Sequence, residues 1–319
     1  VEVCSGGVVL DDDAAFKGTG KMRKIYTVAD FIFEVSLNGD RDPDMYLRSF
    51  APFKSIECPE GRKLFELLED ETLPVSSDAE FLEEDRNDMG HTRLYRTSEG
   101  YRIELRYADD TRPHIVETDK DFAHARALIR WDDRYVATAL TSMLRIVFAQ
   151  AILPYDAVSV HASTVLNDGK AFLFMGKSGI GKSTHSALWL RHIEGTELLN
   201  DDNPIVRIVD GKAAVYGSPW SGKTPCCRNE CAPVAAMVRL KQGPRNRFES
   251  REDIAAFGAL LPGCSVLRQD GRLHDALCAT LTALTEITCV GEMECLPDKE
   301  AAEICRGEAL MDDRLNLTF

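Results

Sequence analysis

Two stretches of the chain satisfy the pattern G-x-x-x-x-G-K-[ST]: GKSGIGKS at Gly176–Ser183 and GSPWSGKT at Gly217–Thr224. The pattern carries chemistry. Its glycines let the backbone close around phosphates with no Cβ in the way, its lysine reaches the β- and γ-phosphates, and its last hydroxyl binds Mg²⁺. At average composition a chance match in a chain of this length is roughly a one per cent event, so the flanking elements must separate the two. For the first they agree. NDG is a tight turn and KAFLFM a short apolar strand, while HSALWLRHI behind the loop reads as a helix burying Ala187, Leu188 and Ile193. Strand, loop and helix in that order aim the free N–H groups of a helix start at an anion. Gly176, Lys177, Ser178, Gly179, Ile180, Gly181, Lys182, Ser183 and Thr184 are the expected nucleotide contacts, with ATP as the expected ligand and Ser183 on Mg²⁺.

The second match follows a hairpin, PIVRIVDGKAAVYG, and runs into Pro225, Cys226 and Cys227, with Pro233 beyond. No helix can start at its Lys-Thr pair and continue. Two readings stay open: a solvated hairpin end, or a loop that touches substrate or phosphate from the opposite side through Trp220, Ser221 and Lys223.

ELLNDDNP supplies the carboxylates. Leu198 and Leu199 lead a strand into Asn200, Asp201 and Asp202, where a second parallel strand beside the loop strand would deliver acidic groups to the metal. Neighbouring side chains on a strand point to opposite faces, so the two aspartates can take different tasks, one on the metal and one accepting a proton from an attacking hydroxyl.

The elements that must position these groups divide the chain into segments. Residues 1–21 lack periodicity and read as irregular. Residues 22–121 read as a β-rich α+β domain, with period-two strands in KIYTVADFIFEVSL and TRLYRTSEGYRIELRYADDTRPHIVET and a short helix at GRKLFELLED between them. Residues 122–153 read as bridging helices, and 154–319 as the α/β nucleotide-binding domain with a mixed sheet. In the tail, GRLHDALCATLTALTEI places Leu273, Leu277, Leu281 and Leu284 on one helical face, with His274 beside it as a structural group. A strand at CVGEMECLP and a helix at DKEAAEICRGEAL follow.

Composition excludes some partners. The net charge of −14 disfavours nucleic acid. The longest apolar run, TSMLRIVFAQAILP, is too short to span a membrane and contains Arg145, so it reads as a core helix. Ten scattered cysteines and the absence of a readable secretory signal suit the cytoplasm. PCCRNEC lacks the second half that a zinc site needs. An oligomer is compatible with the sequence.

The pieces VHAS, GKSGIGKST and LLNDDNP, spanning roughly Tyr155 to Cys305, together resemble the nucleotide-binding domain shared by HPr kinase/phosphorylase and ATP-dependent phosphoenolpyruvate carboxykinase. The resemblance implies a phosphoenolpyruvate-carboxykinase-like P-loop domain. It further implies Lys182 on the β/γ-phosphates, Ser183 and Asp202 on Mg²⁺, Asp201 as base toward the acceptor hydroxyl, and His161 near the metal and γ-phosphate. Arg245 and Arg247, after the apolar strand AAMVRL, are candidates to neutralise the transferred phosphoryl. The glycine-rich HPr kinase signature is missing, which argues against HPr as acceptor, and the basic set for oxaloacetate is not found, which argues against decarboxylation. The expectation is a kinase for a hydroxyl of a peptide serine or a small metabolite. The alternative is an ATP-binding regulatory module that transfers no phosphate.

Overall fold

The computed structural model describes residues 20–59, 61–74, 79–87, 90–222 and 224–312. Residues 1–19 of the segment expected to be irregular, and Lys223, lie outside them. What is described is a mixed α/β structure built on two mixed sheets of nine strands each.

The first sheet holds β1 (Lys21–Val28), β2 (Phe31–Asn38), β3 (Lys54–Ser55), β4 (Lys63–Glu69), β5 (Glu80–Asn87), β6 (Gly90–Arg96), β7 (Gly100–Arg106), β8 (His114–Asp119) and β9 (His124–Leu128). Their order is β3-β1-β2-β4-β9-β8-β7-β6-β5. A short helix α1 (Pro43–Tyr46) and a 3-10 turn at Arg48–Phe53 intervene between β2 and β3. Two expectations fail here. GRKLFELLED forms β4, a strand parallel to both β2 and β9. Its alternate residues Phe65, Leu67 and Glu69 are buried, with Phe65 stacked on Phe33 at 4.7 Å, and that pairing overrides a local helical preference. Similarly, HARAL of the expected bridging helices is the central strand β9, and only Val136–Ala151 forms a helix, α2.

The second sheet runs β10-β14-β15-β16-β12-β11-β13, with β18 beside β16 and β17 beside β18. Its strands are β10 (Ala157–Ser159), β11 (Ala162–Asn167), β12 (Lys170–Met175), β13 (Glu197–Asp202), β14 (Ile205–Val209), β15 (Lys212–Tyr216), β16 (Cys231–Gln242), β17 (Arg247–Arg251) and β18 (Cys289–Cys295). The helices are α3 (Lys182–His192), α4 (Asp253–Leu260), α5 (Gly271–Ile287) and α6 (Lys299–Leu310). Residues of β12 alternate between two cores. Phe172 and Phe174 pack with Trp189 of α3 and the alanines of α6, while Leu173 and Met175 join the cluster that contains α2, α5 and the first sheet.

That second cluster runs without a break from Tyr26 to Val290. Phe148 of α2 is its hinge pin, with ring contacts to Phe31, Phe33 and Phe65 on one side and to Trp220 on the other. Asp270 adds a polar tie: it caps α5 through the Arg272 and Leu273 amides and accepts the hydroxyl of Tyr101 at 2.9 Å. No helix among the described residues is long and apolar enough to cross a membrane.

Candidate active site

The loop Gly176–Gly181 leaves the C-terminal end of β12 and enters α3, as expected. Gly176, Gly179 and Gly181 have φ of 140°, 79° and 112°, a region that side chains rarely adopt, so this backbone path needs glycine. Lys182 is 9% exposed and its Nζ donates to the Gly176 carbonyl at 3.1 Å, which holds the amine over the loop. Of the residues expected on the buried face of α3, Leu188 and Ile193 pack against the core, and Ala187 does not. Ala187 is exposed, and Lys182, His185, Ser186 and Trp189 turn inward, with Ser186 Oγ 2.7 Å from Ser163 Oγ on β11 and Trp189 Nε1 donating to His185 Nε2 at 3.2 Å. Burial pulls the His185 imidazole down to about 4, so it is a neutral core group.

β13 does not adjoin the loop strand. It pairs antiparallel with β11, which in turn pairs antiparallel with β12, so β13 runs parallel to β12 one strand away. A bulge at Thr164/Val165 re-aims the end of β13. Asn200, fully buried, then builds the turn by accepting the Asp202 and Asn203 amides on its Oδ1. The aspartates keep strand alternation. Asp201, 5% exposed, turns to the α3 side and accepts the Ser183 hydroxyl at 2.9 Å. Asp202 turns to the other side, where Arg145 Nη1 of α2 donates to it at 3.2 Å and His161 Nε2 lies 3.5 Å away. His161 occupies a break between β10 and β11 rather than a strand, and its side chain is 40% exposed.

In the second G-x-x-x-x-G-K-T match Gly217–Trp220 are buried, unlike a solvated hairpin end. Trp220 is 4% exposed, donates from Nε1 to the Thr141 carbonyl at 3.1 Å, and stands edge-on to Phe50 at 5.7 Å. Ser221 bridges Asp202 as a strand partner, and the Thr224 amide donates to the Asp201 carboxylate at 3.3 Å. Its glycines answer to close packing, since a Cβ on Gly217 would lie 2.0 Å from the Arg228 carbonyl oxygen and one on Gly222 2.6 Å from that of Asp201. The two matches thus share letters for different physical reasons.

Both loops, Asp201, Asp202 and His161 open onto one cleft of about 1090 Å³. Ser178, Gly179 and Gly181 to Thr184 form one wall, Pro219 to Gly222 another, and Arg145 with other residues of α2 a third. Met45, Tyr46, Arg48 and Ser49 close it from the first half of the chain. Arg245 and Arg247 do not line it: they pair with Glu294 and Glu249 on the β17–β18 flank. The arginines that do line it are Arg145 and Arg48. Arg145 had a signal, being the one charge in the apolar run of α2; Arg48 had none.

Among the described residues no group of three His, Cys, Asp or Glu gathers around a point, and PCCRNEC is no exception. Ser183 and Asp201 are nonetheless a hard-oxygen pair of the kind that holds Mg²⁺, an ion that uses one or two carboxylates plus substrate phosphates instead of a full protein cage.

No family model and no curated protein matches the chain. Among solved structures, the Hpr(Ser) kinase/phosphatase from Coxiella burnetii aligns with 50% of this chain and 97% of its own, at 13% identity and a TM-score of 0.28. This is a loose likeness of fold over half the chain.

Proposed function

We propose that the chain is an ATP- and Mg²⁺-dependent phosphotransferase acting on a hydroxyl. One observation carries the reading: the end of β13 places Asp201 against Ser183 and Asp202 against His161 and Arg145, on opposite sides of the same strand in one cleft. A module that only sensed ATP would need the first pair and not the second group.

On the strength of the Ser183–Asp201 pairing we assign the two aspartates the reverse of the expected roles. Asp201 and Ser183 would hold Mg²⁺, which when bound supplies positive charge against the β- and γ-phosphate oxygens. Lys182 and the amides at the start of α3 bind the phosphates. Asp202, solvent-accessible and facing the acceptor side, takes the hydroxyl proton, with His161 and Arg145 orienting it and Arg145 offsetting charge on the transferred phosphoryl.

Calorimetry with Mg·ATP and transfer assays on Asp201→Asn, Asp202→Asn and Lys182→Ala test this. Lys182→Ala is expected to abolish binding. Asp202→Asn should bind Mg·ATP within a few-fold of wild type while transfer drops about 10²- to 10⁴-fold, and Asp201→Asn should remove the Mg²⁺ dependence of binding. The opposite pattern for the two aspartates would restore the expected roles, and wild type that binds Mg·ATP without any transfer would leave the regulatory module.

A further inference from the structure

The cleft is cationic in a chain of net charge −14. Arg48, Arg145 and Lys182 line it, against Asp201 and Asp202. Lys182 serves the nucleotide loop, and Arg145 and His161 face Asp202. Arg48 remains: it is exposed, and no carboxylate among the described residues lies within ion-pair distance of it.

Its backbone is held in place by anchors on both sides. Tyr46 packs on Trp131 at 4.9 Å, Phe50 is fully buried against Tyr26 and Trp220, and Asn229 donates to the Pro52 carbonyl at 3.1 Å. Upstream, the Asp42 side chain caps α1, and Asp44 accepts the Tyr26 hydroxyl at 2.9 Å. A cation carried by the first half of the chain thus lines the same cleft as the glycine loop and Asp202 supplied by the second half. At about 1090 Å³ the cleft stands at the upper end of the roughly 300–1,000 Å³ usual for small-ligand pockets.

We propose that the acceptor is a small hydroxy compound bearing a carboxylate or phosphate, whose anionic group is bound by the Arg48 guanidinium while its hydroxyl lies at Asp202. The inference rests on the phosphotransferase reading above. Arginine suits the task because its planar fork meets either anion with two parallel hydrogen bonds. In the reaction the hydroxyl oxygen bonds to the γ-phosphorus of ATP, the bond from that phosphorus to the bridging oxygen breaks, ADP leaves with the electron pair, and the hydroxyl proton passes to Asp202.

The test is phosphoryl transfer from Mg·ATP to D-glycerate and glycerol 3-phosphate, to neutral glycerol, and to a serine peptide with blocked termini, using wild type, Arg48→Ala and Arg48→Lys. The two anionic acceptors distinguish carboxylate from phosphate. The expected result is transfer to at least one anionic compound and little to glycerol or the peptide. Arg48→Ala should raise KM for that compound about ten- to hundredfold, with Arg48→Lys in between and Mg·ATP affinity unchanged. Transfer to glycerol or the peptide as fast as to the anions, an unchanged KM in Arg48→Ala, or no transfer to either anion by protein that binds Mg·ATP would overturn the inference. Wild type that binds no Mg·ATP would instead refute the phosphotransferase reading itself.

Discussion

Substituting Gly222 by alanine separates the two G-x-x-x-x-G-K-[ST] stretches. A Cβ there lies 2.6 Å from the Asp201 carbonyl oxygen and 3.3 Å from the Asp202 Cβ, whereas ordinary contact begins near 3.4 Å. Neither neighbour is the free end of a flexible side chain, so the end of β13 must move by several tenths of an ångström. Overpacking of this kind costs about 1–3 kcal/mol. The Gly222 amide also donates to that carbonyl, and weakening the bond adds about 1 kcal/mol, for a total of about 2–4 kcal/mol. Displacing Asp201 and Asp202 together should lower transfer about a hundredfold. Gly179→Ala is the counterpart: its Cβ meets nothing within 4 Å, yet φ of 79° is strained for alanine by about 1–2 kcal/mol, and the strain falls on the nucleotide loop alone. Urea unfolding and Mg·ATP calorimetry on both variants are the assays. Gly222→Ala should lose stability, turnover and the Mg²⁺-dependent part of nucleotide binding while keeping the part that Lys182 supplies, whereas Gly179→Ala should lose affinity with the smaller stability loss of about 1–2 kcal/mol. A Gly222→Ala protein as stable as wild type, or one that loses Mg·ATP as completely as Lys182→Ala, would refute the division of labour between the loops.

Two further outcomes concern the scaffold. His185 is neutral in the fold because burial lowers its pKa from 6.5 to about 4, so its contribution to stability is complete above pH 6.5 and is lost as pH falls from 6.5 toward 4, amounting to at most about 3 kcal/mol. Urea titrations at several pH values should show an acid-side slope in wild type that shrinks in His185→Gln, and equal slopes would remove His185 as its source. Trp220→Ala should cost about 3–5 kcal/mol by emptying the space between Phe50 and Phe148, while Trp220→Phe, which loses chiefly the bond to the Thr141 carbonyl, should cost nearer 1 kcal/mol in thermal unfolding.

The Gly176–Gly181 loop was legible from the chain because everything its backbone needs is local. The turn, the apolar strand, the glycines at positive φ and the helix all lie within Asn167–His192, and the helix arrest after GSPWSGKT was equally local, set by Pro225. The leucine face of α5 followed from periodicity for the same reason. β4 and β9 were misread because GRKLFELLED and the HARAL stretch carry apolar spacings that fit a helix as well as a strand, and only the parallel partners β2 and β4 decided between them. The DD pair was visible, but which aspartate meets Ser183 depends on the face that β13 turns to α3, and that is set by its pairing with β11 and by the Asn200 turn. Arg48 and Arg145 joined the cleft through contacts between residues far apart in the chain, Phe50 with Trp220 and Arg145 with Asp202. The sequence by itself determined the presence and position of a glycine-rich loop between a strand and a helix, since hydrogen bonding and backbone conformation over a few residues suffice for it. The opposite wall of the cleft was decided by tertiary structure alone, because its charges, Arg48, Arg145 and Asp202, come from separate elements brought together only when the shared core packs.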